Sequence, residues 1–135
     1  APPPPEIASP KPPPEPVEEE LFRLGPFVTT HPAFSAGANV QLATVPEPGR
    51  VEILIWERGV GRTASSGTSA CAAAAATVHR GLNLPGPIRV GMEGGEFIVE
   101  VSEEMEVRLQ GPVGPVMEGE LREELLARLR SGPGS

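Results

Sequence analysis

The sequence predicts an α+β fold, a curled and mostly antiparallel sheet around one central helix. Short stretches rich in β-branched residues alternate in polarity and are separated by Pro- and Gly-bearing turns, the pattern of half-buried strands. Between them, Ala70-Cys71 and the run Ala72 to Ala76 lead through Thr77-Val78-His79-Arg80 to Gly81, a helix with a glycine stop. That helix carries almost no side-chain volume, so the reading places it as a buried central element with another layer covering nearly all its faces.

Taken in order, residues 1–20 read as a proline-rich tail or linker. Nine of the 18 prolines fall between Ala1 and Pro16, with no apolar period, which favours extended polyproline II chain over a packed element. Val17 to Leu24 reads as a short helical turn with Glu18, Glu19 and Glu20 on a solvated face, ended by Gly25-Pro26. Strands are expected near Asn39 to Val45, Val51 to Trp56, Ile88 to Met92, Glu96 to Val101 and Glu104 to Gln110, the last two as antiparallel neighbours. Turns are marked by Pro46-Glu47-Pro48-Gly49, Pro85-Gly86-Pro87 and Gly94-Gly95. Glu120 to Arg130 reads as an amphipathic helix with Leu121, Leu125 and Leu129 on one stripe. The folded domain is expected over 21–131, and 132–135 form a polar tail.

Composition bounds the function. A chain of 135 residues supports one domain. The net charge of −7 and the absence of a basic cluster exclude nucleic acid as the expected partner. No run of about 20 apolar residues is present, so no membrane-spanning helix is expected. The single cysteine rules out an internal disulfide and fits a cytoplasmic setting. The start has neither Met nor the pattern of a signal peptide and reads as a cut or processed end.

Chemistry is expected where Glu57-Arg58-Gly59-Val60-Gly61-Arg62-Thr63 leads from a strand into Ser65-Ser66-Gly67-Thr68-Ser69 at the helix start. Backbone N–H groups and hydroxyls there, at the positive end of the helix dipole, suit an anion such as a substrate carboxylate. Other readings are weaker. Gly59-x-Gly61-x-x-Ala64 resembles a dinucleotide loop, but His79 and Arg80 stand where an acidic residue should follow. Ser66 and His79 lie thirteen residues apart without a nucleophile elbow, so a hydrolase is not supported. With two histidines and no ligand spacing, no metal or cofactor is expected. Cys71 reads as a small packed side chain, His31 as a loop-shaping residue, and His79 as a helix-end residue favourable to the dipole.

Trp56-Glu57-Arg58-Gly59-Val60-Gly61-x-Thr63, followed by Gly67-Thr68-x-Ala70-Cys71-Ala72, resembles the second active-site signature of the diaminopimelate epimerase family, cofactor-independent amino-acid isomerases of lysine and cell-wall biosynthesis. His31-Pro32-x-Phe34 with Ala38-Asn39-Val40 upstream, and Gly94-Gly95 and Gly111-Pro112 with Met117-Glu118-Gly119, which match the family's later strands, extend the resemblance from about Leu24 to Leu121. It implies half of a two-lobed α+β fold with the active site between lobes. It also implies that Asn39, Glu57, Arg58, Gly67 and Thr68 contact an amino-acid substrate, Gly67 and Thr68 through N–H donors to a carboxylate.

Ser66 departs from that pattern, standing where the family has one of two opposed acid/base cysteines. The other cysteine belongs to an N-terminal half that nothing in this chain resembles, and a proline tract replaces the usual Gly-Asn-Pro-His segment. Inverting a Cα centre needs one group on each face of the carbon. A thiol at a helix N-terminus can be tuned towards neutral pKa, whereas a serine hydroxyl needs a partner base. The expectation is therefore about the second half of an isomerase acting on diaminopimelate, inactive in isolation and requiring a missing half or partner subunit. The alternative is a non-catalytic amino-acid-binding module derived from the same fold.

Overall fold

The computed structural model describes residues 16–132. In chain order these form α1 (Glu18–Thr29), β1 (Val40–Thr44), β2 (Arg50–Glu57), β3 (Gly61–Thr63), α2 (Gly67–His79), β4 (Gly86–Met92), β5 (Gly95–Val101), β6 (Val107–Gln110) and α3 (Glu123–Ser131). The six strands make one open sheet in the order β1-β2-β4-β5-β6, with β3 pairing onto β2. Every pairing is antiparallel except β2 with β4, which run parallel with Arg50, Val51 and Glu52 opposite Arg89, Val90 and Gly91. The fold class is therefore the α+β arrangement expected, with one parallel seam.

Alternation decides which face of the sheet does what. Val51, Ile53 and Ile55 of β2, Ile88 and Val90 of β4, and Val99 and Val101 of β5 project to one face and meet Ala70, Ala73 and Ala74 of α2. Alanine lets the helix axis approach the sheet closely, so β-branched side chains rather than long helical ones fill the space between. Thr77 and Asn83 close the far end of this core: Asn83 Nδ2 donates to Thr77 Oγ1 at 3.1 Å, and Asn83 Oδ1 accepts from the Gly49 amide at 2.8 Å.

On the opposite face α1 covers the end of β2. Leu21 is fully buried, and Phe22 meets Trp56 edge to face with ring centroids 5.5 Å apart. A Cβ on Gly25 would fall 2.5 Å from Trp56 Cγ, so the helix lies directly on the indole. Gly25-Pro26 thus does not end α1 as expected. The glycine is a packing residue, and the helix continues past Pro26 to Thr29, with Thr30 Oγ1 donating to the Pro26 carbonyl at 3.0 Å. The proline removes one helical N–H, but packing against β2 outweighs that local loss.

Three further expectations are corrected. The layer covering α2 is one-sided: Ser69, Ala70, Ala73, Ala74 and Thr77 are buried, while Thr68, Ala72, Ala76 and His79 are exposed, because a single open sheet reaches only one stripe of a helix. Glu104 begins no strand, since the Ser102 hydroxyl accepts from the Glu104 and Glu106 amides at 3.2 and 3.1 Å and holds a turn with Met105 at φ 66°. The stretch Gly111 to Arg122, expected to carry later strands at Gly111-Pro112 and Met117-Glu118-Gly119, contains none. Pro112 and Pro115 cannot donate to a ladder, and no further strand among the described residues lies beyond β6. The expected proline-rich tail lies outside the described residues as far as Glu15, and Glu18–Glu20 belong to α1.

Candidate functional site at the N-terminus of the second helix

β2 delivers Glu57 to the end of the sheet, and a tight turn through Arg58-Gly59-Val60 sends the chain back along β3. Glycine is needed here: Gly59 and Gly61 have φ of 78° and 92°, values that other residues rarely adopt. β3 spans three residues and was not foreseen, being too short to show a period. After it, Ala64-Ser65-Ser66 turns into α2.

Ser66 is the N-cap of α2. Its extended backbone (φ −155°, ψ 117°) lets Oγ accept from the Ser69 amide at 3.3 Å, and Ser66 Oγ lies 3.3 Å from Thr68 Oγ1. No acidic residue occupies the first turn, so the positive end of the helix dipole is not neutralised from within the helix. Gly67 sits against β6, where an added Cβ would fall 2.7 Å from Leu109 Cδ2. The β4–β5 turn supports the approach: the Gly94 amide donates to the Ala64 carbonyl at 2.7 Å, and a Cβ on Gly94 would strike that of Ser65.

A second cluster forms at the end of β2. The Asn39 side-chain carbonyl accepts from the Arg58 amide at 2.9 Å, while the Arg58 guanidinium hydrogen-bonds the Ala36 carbonyl in the preceding loop. That loop is tied to α1 through the Ala38 amide, which donates to the Thr29 carbonyl at 3.2 Å, and is lined by His31, whose ring stacks edge to face with Phe27 and Phe34. Asn39 and Arg58 are therefore brought together, and so are Ser66, Gly67 and Thr68.

Two features connect the clusters. Gln41 of β1 sits two residues beyond Asn39 on the α2 face, and its amide donates to the Ser69 hydroxyl at 2.9 Å. Glu57 follows Val51, Ile53 and Ile55 at even spacing, so strand alternation aims it at the same face. Arg58 behaves differently: its guanidinium turns to Ala36, and among the described residues no hydrogen bond joins it to the Ser66–Thr68 turn. Gln41 and Ser69 were not singled out from sequence, although the Asn39-x-Gln41 alternation carries the signal.

Arg62, also missed, braces the surroundings. Its guanidinium meets Glu18 at 3.1 Å, Glu93 at 2.6 Å and the Thr63 carbonyl at 2.8 Å, tying α1 and the β4–β5 turn to β3. Cys71 lies one turn inside α2, half-buried, and burial pushes its thiol above the usual range. It is therefore held as a neutral thiol at ordinary pH. Among the described residues no group of three His, Cys or acidic side chains could hold a metal ion, and no helix is long and apolar enough to cross a membrane.

Comparison with known proteins bears on this geometry. A family model described as diaminopimelate epimerase matches residues 14–120. Among curated proteins, the chain is 38% identical over 100 residues to a diaminopimelate epimerase of Rhizorhabdus wittichii, covering 74% of this chain and 36% of that protein. It is 38% identical over 103 residues to one of Pseudomonas aeruginosa (76% and 37%), and 35% over 108 residues to one of Desulfitobacterium hafniense (80% and 38%). The chain thus spans a little over a third of the length of the curated relatives it matches.

Proposed function

The chain belongs to the diaminopimelate epimerase family, and from that membership we propose that it supplies one wall of an isomerase site for the Cα centre of diaminopimelate. The observation that carries this reading is the α2 N-terminus, capped by Ser66, bare of acidic residues, and facing the same side of the sheet as Asn39 and Glu57. In this reading the Gly67 and Thr68 amides hold the substrate α-carboxylate at the positive end of the helix. Asn39 orients the Glu57-Arg58 turn, Glu57 engages the substrate ammonium, and the Arg58 backbone and stem shape the rim. Substrate binding needs no metal or prosthetic group in this scheme.

The chemistry asks for two proton-handling groups, one on each face of the carbon. Ser66 stands on one face. Its hydroxyl accepts the Ser69 amide and lies beside Thr68, with no base among its hydrogen-bond partners. It can orient a carboxylate or a water, but an unassisted hydroxyl does not remove an α-proton. The chain alone binds the amino acid and leaves its configuration unchanged, and turnover requires a second lobe carrying the opposing group. Ser66 also favours a second reading, in which this is an amino-acid-binding module that performs no inversion in any assembly.

Exchange of the diaminopimelate α-proton with solvent deuterium, followed by NMR, separates these readings. The expected result is no exchange by the chain alone, weak exchange when it is mixed with the N-terminal half of a family member, and a gain of roughly 10²–10⁴ with Ser66→Cys in that mixture. Full exchange by the isolated serine chain would overturn the two-group scheme. Substrate-induced chemical shifts at Gly67 and Thr68 without any gain from Ser66→Cys would favour the binding module. Absence of such shifts in the assembled mixture would remove the site itself.

A further inference from the structure

β1 lies at the edge of the sheet and pairs with β2 alone. Towards α2 it presents Gln41, Ala43 and Val45, and these leave a groove of about 430 Å³ between strand and helix, walled also by Ala72, Ala76 and Leu82. β2 holds the middle of α2 through Ile53 and Ile55, whereas β1 has little packing with which to hold its start. Among the described residues one hydrogen bond spans the gap, from Gln41 Nε2 to Ser69 Oγ at 2.9 Å.

That bond lands on the first turn of the candidate site. Ser69 is 1% exposed, and its amide is the donor to Ser66 Oγ, so the residue that Gln41 grips is the one that directs the Ser66 side chain. Two residues earlier, the Asn39 side-chain carbonyl accepts from the Arg58 amide and sets the Glu57-Arg58 turn. The start of β1 therefore holds both clusters, one through Asn39 and the other through Gln41, and two residues of strand separate the two grips by about 7 Å. A glutamine suits this task. Its carboxamide donates to the Ser69 hydroxyl while adding no charge beside amides that face an anion.

We propose that Gln41 is a positioning residue. Through Ser69 it fixes the side chain at position 66 and the Gly67 and Thr68 amides at a set distance from Asn39 and Glu57. The consequence for substrate affinity rests on the site reading given above, and the consequence for the side chain at position 66 does not. Loss of the bond frees the first turn from the β1 side, while Ala70, Ala73 and Ala74 keep the rest of α2 on the sheet.

The test uses the full chain carrying Ser66→Cys and Cys71→Ala, which leaves one thiol, at the cap position, where the Ser69 amide and the helix dipole favour the thiolate. Its alkylation by iodoacetamide is followed against pH, with and without Gln41→Met. That change swaps neutral side chains of like length and leaves the charges around the start of α2, namely Glu57, Arg58 and the Arg62–Glu93 pair, as they were. Gln41→Met should move the onset of reactivity to higher pH and slow alkylation at pH 7 roughly three- to tenfold, the effect of one lost hydrogen bond. Ser69→Ala should do the same, and the double variant no more, because both remove one tie. In the chain with Ser66 intact, diaminopimelate-induced shifts at Gly67 and Thr68 should need roughly three- to tenfold more ligand after Gln41→Met. A tie that serves stability alone would lower the melting temperature and leave the alkylation profile of the folded chain unchanged, and that result overturns the proposal. Additive effects of Gln41→Met and Ser69→Ala overturn it as well. Alkylation that responds to Gln41→Met, in a chain whose Ser66 form shows no diaminopimelate shifts, supports the positioning role and removes the substrate reading alone.

Discussion

The stretch from Glu18 to Gln110 and the stretch from Gly111 to Gly132 carry apolar residues in comparably regular patterns, yet only the first buries them. In the first, Ile53 and Ile55 meet an alanine-lined helix and are almost or fully buried. In the second, Val113 is 99% exposed, and Leu125 and Leu129 of α3 face solvent. The difference is one of partners rather than of pattern. Periodicity says that a face exists to be covered, and only the surrounding chain decides whether anything covers it.

The largest test of this contrast replaces one apolar residue in each region. Ile55→Ala, in a fully buried position between the sheet and α2, should cost about 2–5 kcal/mol in chemical denaturation. Leu125→Ala in dilute solution should stay within about 0.5 kcal/mol. Equal losses would mean that α3 is part of the cooperative core after all.

A smaller test uses the helix starts. Ser66 caps α2 with its hydroxyl, whereas Arg122 at the same position of α3 makes no side-chain cap. Ser66→Ala should therefore cost about 1 kcal/mol of global stability. Arg122→Ser should raise the far-UV helical signal while leaving the melting temperature where it was. A shift in melting temperature with Arg122→Ser would show that α3 is coupled to the domain.

The smallest effect lies on the solvent face of the sheet. Glu96 is held below the usual carboxylate range by its hydrogen bond from Arg89, with the Arg89 and Arg50 charges adding to this, and Arg89 is raised correspondingly. A carboxylate whose pKa is depressed by folding contributes above its unfolded value and loses that contribution as pH falls through the folded one. Acidification should thus lower the melting temperature slightly more for the native chain than for Glu96→Gln. Identical acid slopes would show that the pair is fully screened, as exposed pairs often are.

Much of the sheet was legible beforehand. Val51 to Trp56 and Glu96 to Val101 alternate cleanly because one face is buried, and the Ala-rich run names α2 through its propensity and its Gly81 stop. What escaped depends on contacts distant in sequence. Gly25-Pro26 has the composition of a helix end, but its conformation is set by Trp56, thirty residues away. The parallel seam between β2 and β4 leaves no local mark. At the candidate site, Ser66 and Thr68 could be placed at a helix start from sequence, and Asn39 could be joined to Arg58 only by resemblance. The turn of the Arg58 guanidinium towards Ala36 depends on how the 30–39 loop closes, which no periodicity encodes.

The parallel seam also bears on the order of events in folding. β1, β2 and β3 are joined by short connections, as are β4 and β5, so each group can form from neighbouring chain within microseconds. Only three residue pairs register between β2 and β4, and they must wait until α2 has closed the connection between the two groups. The seam is then the last ladder to zip. Changes at Val51 or Val90 should leave the folding rate nearly untouched and appear almost wholly as faster unfolding, the kinetic signature of a joint made after the barrier has been crossed.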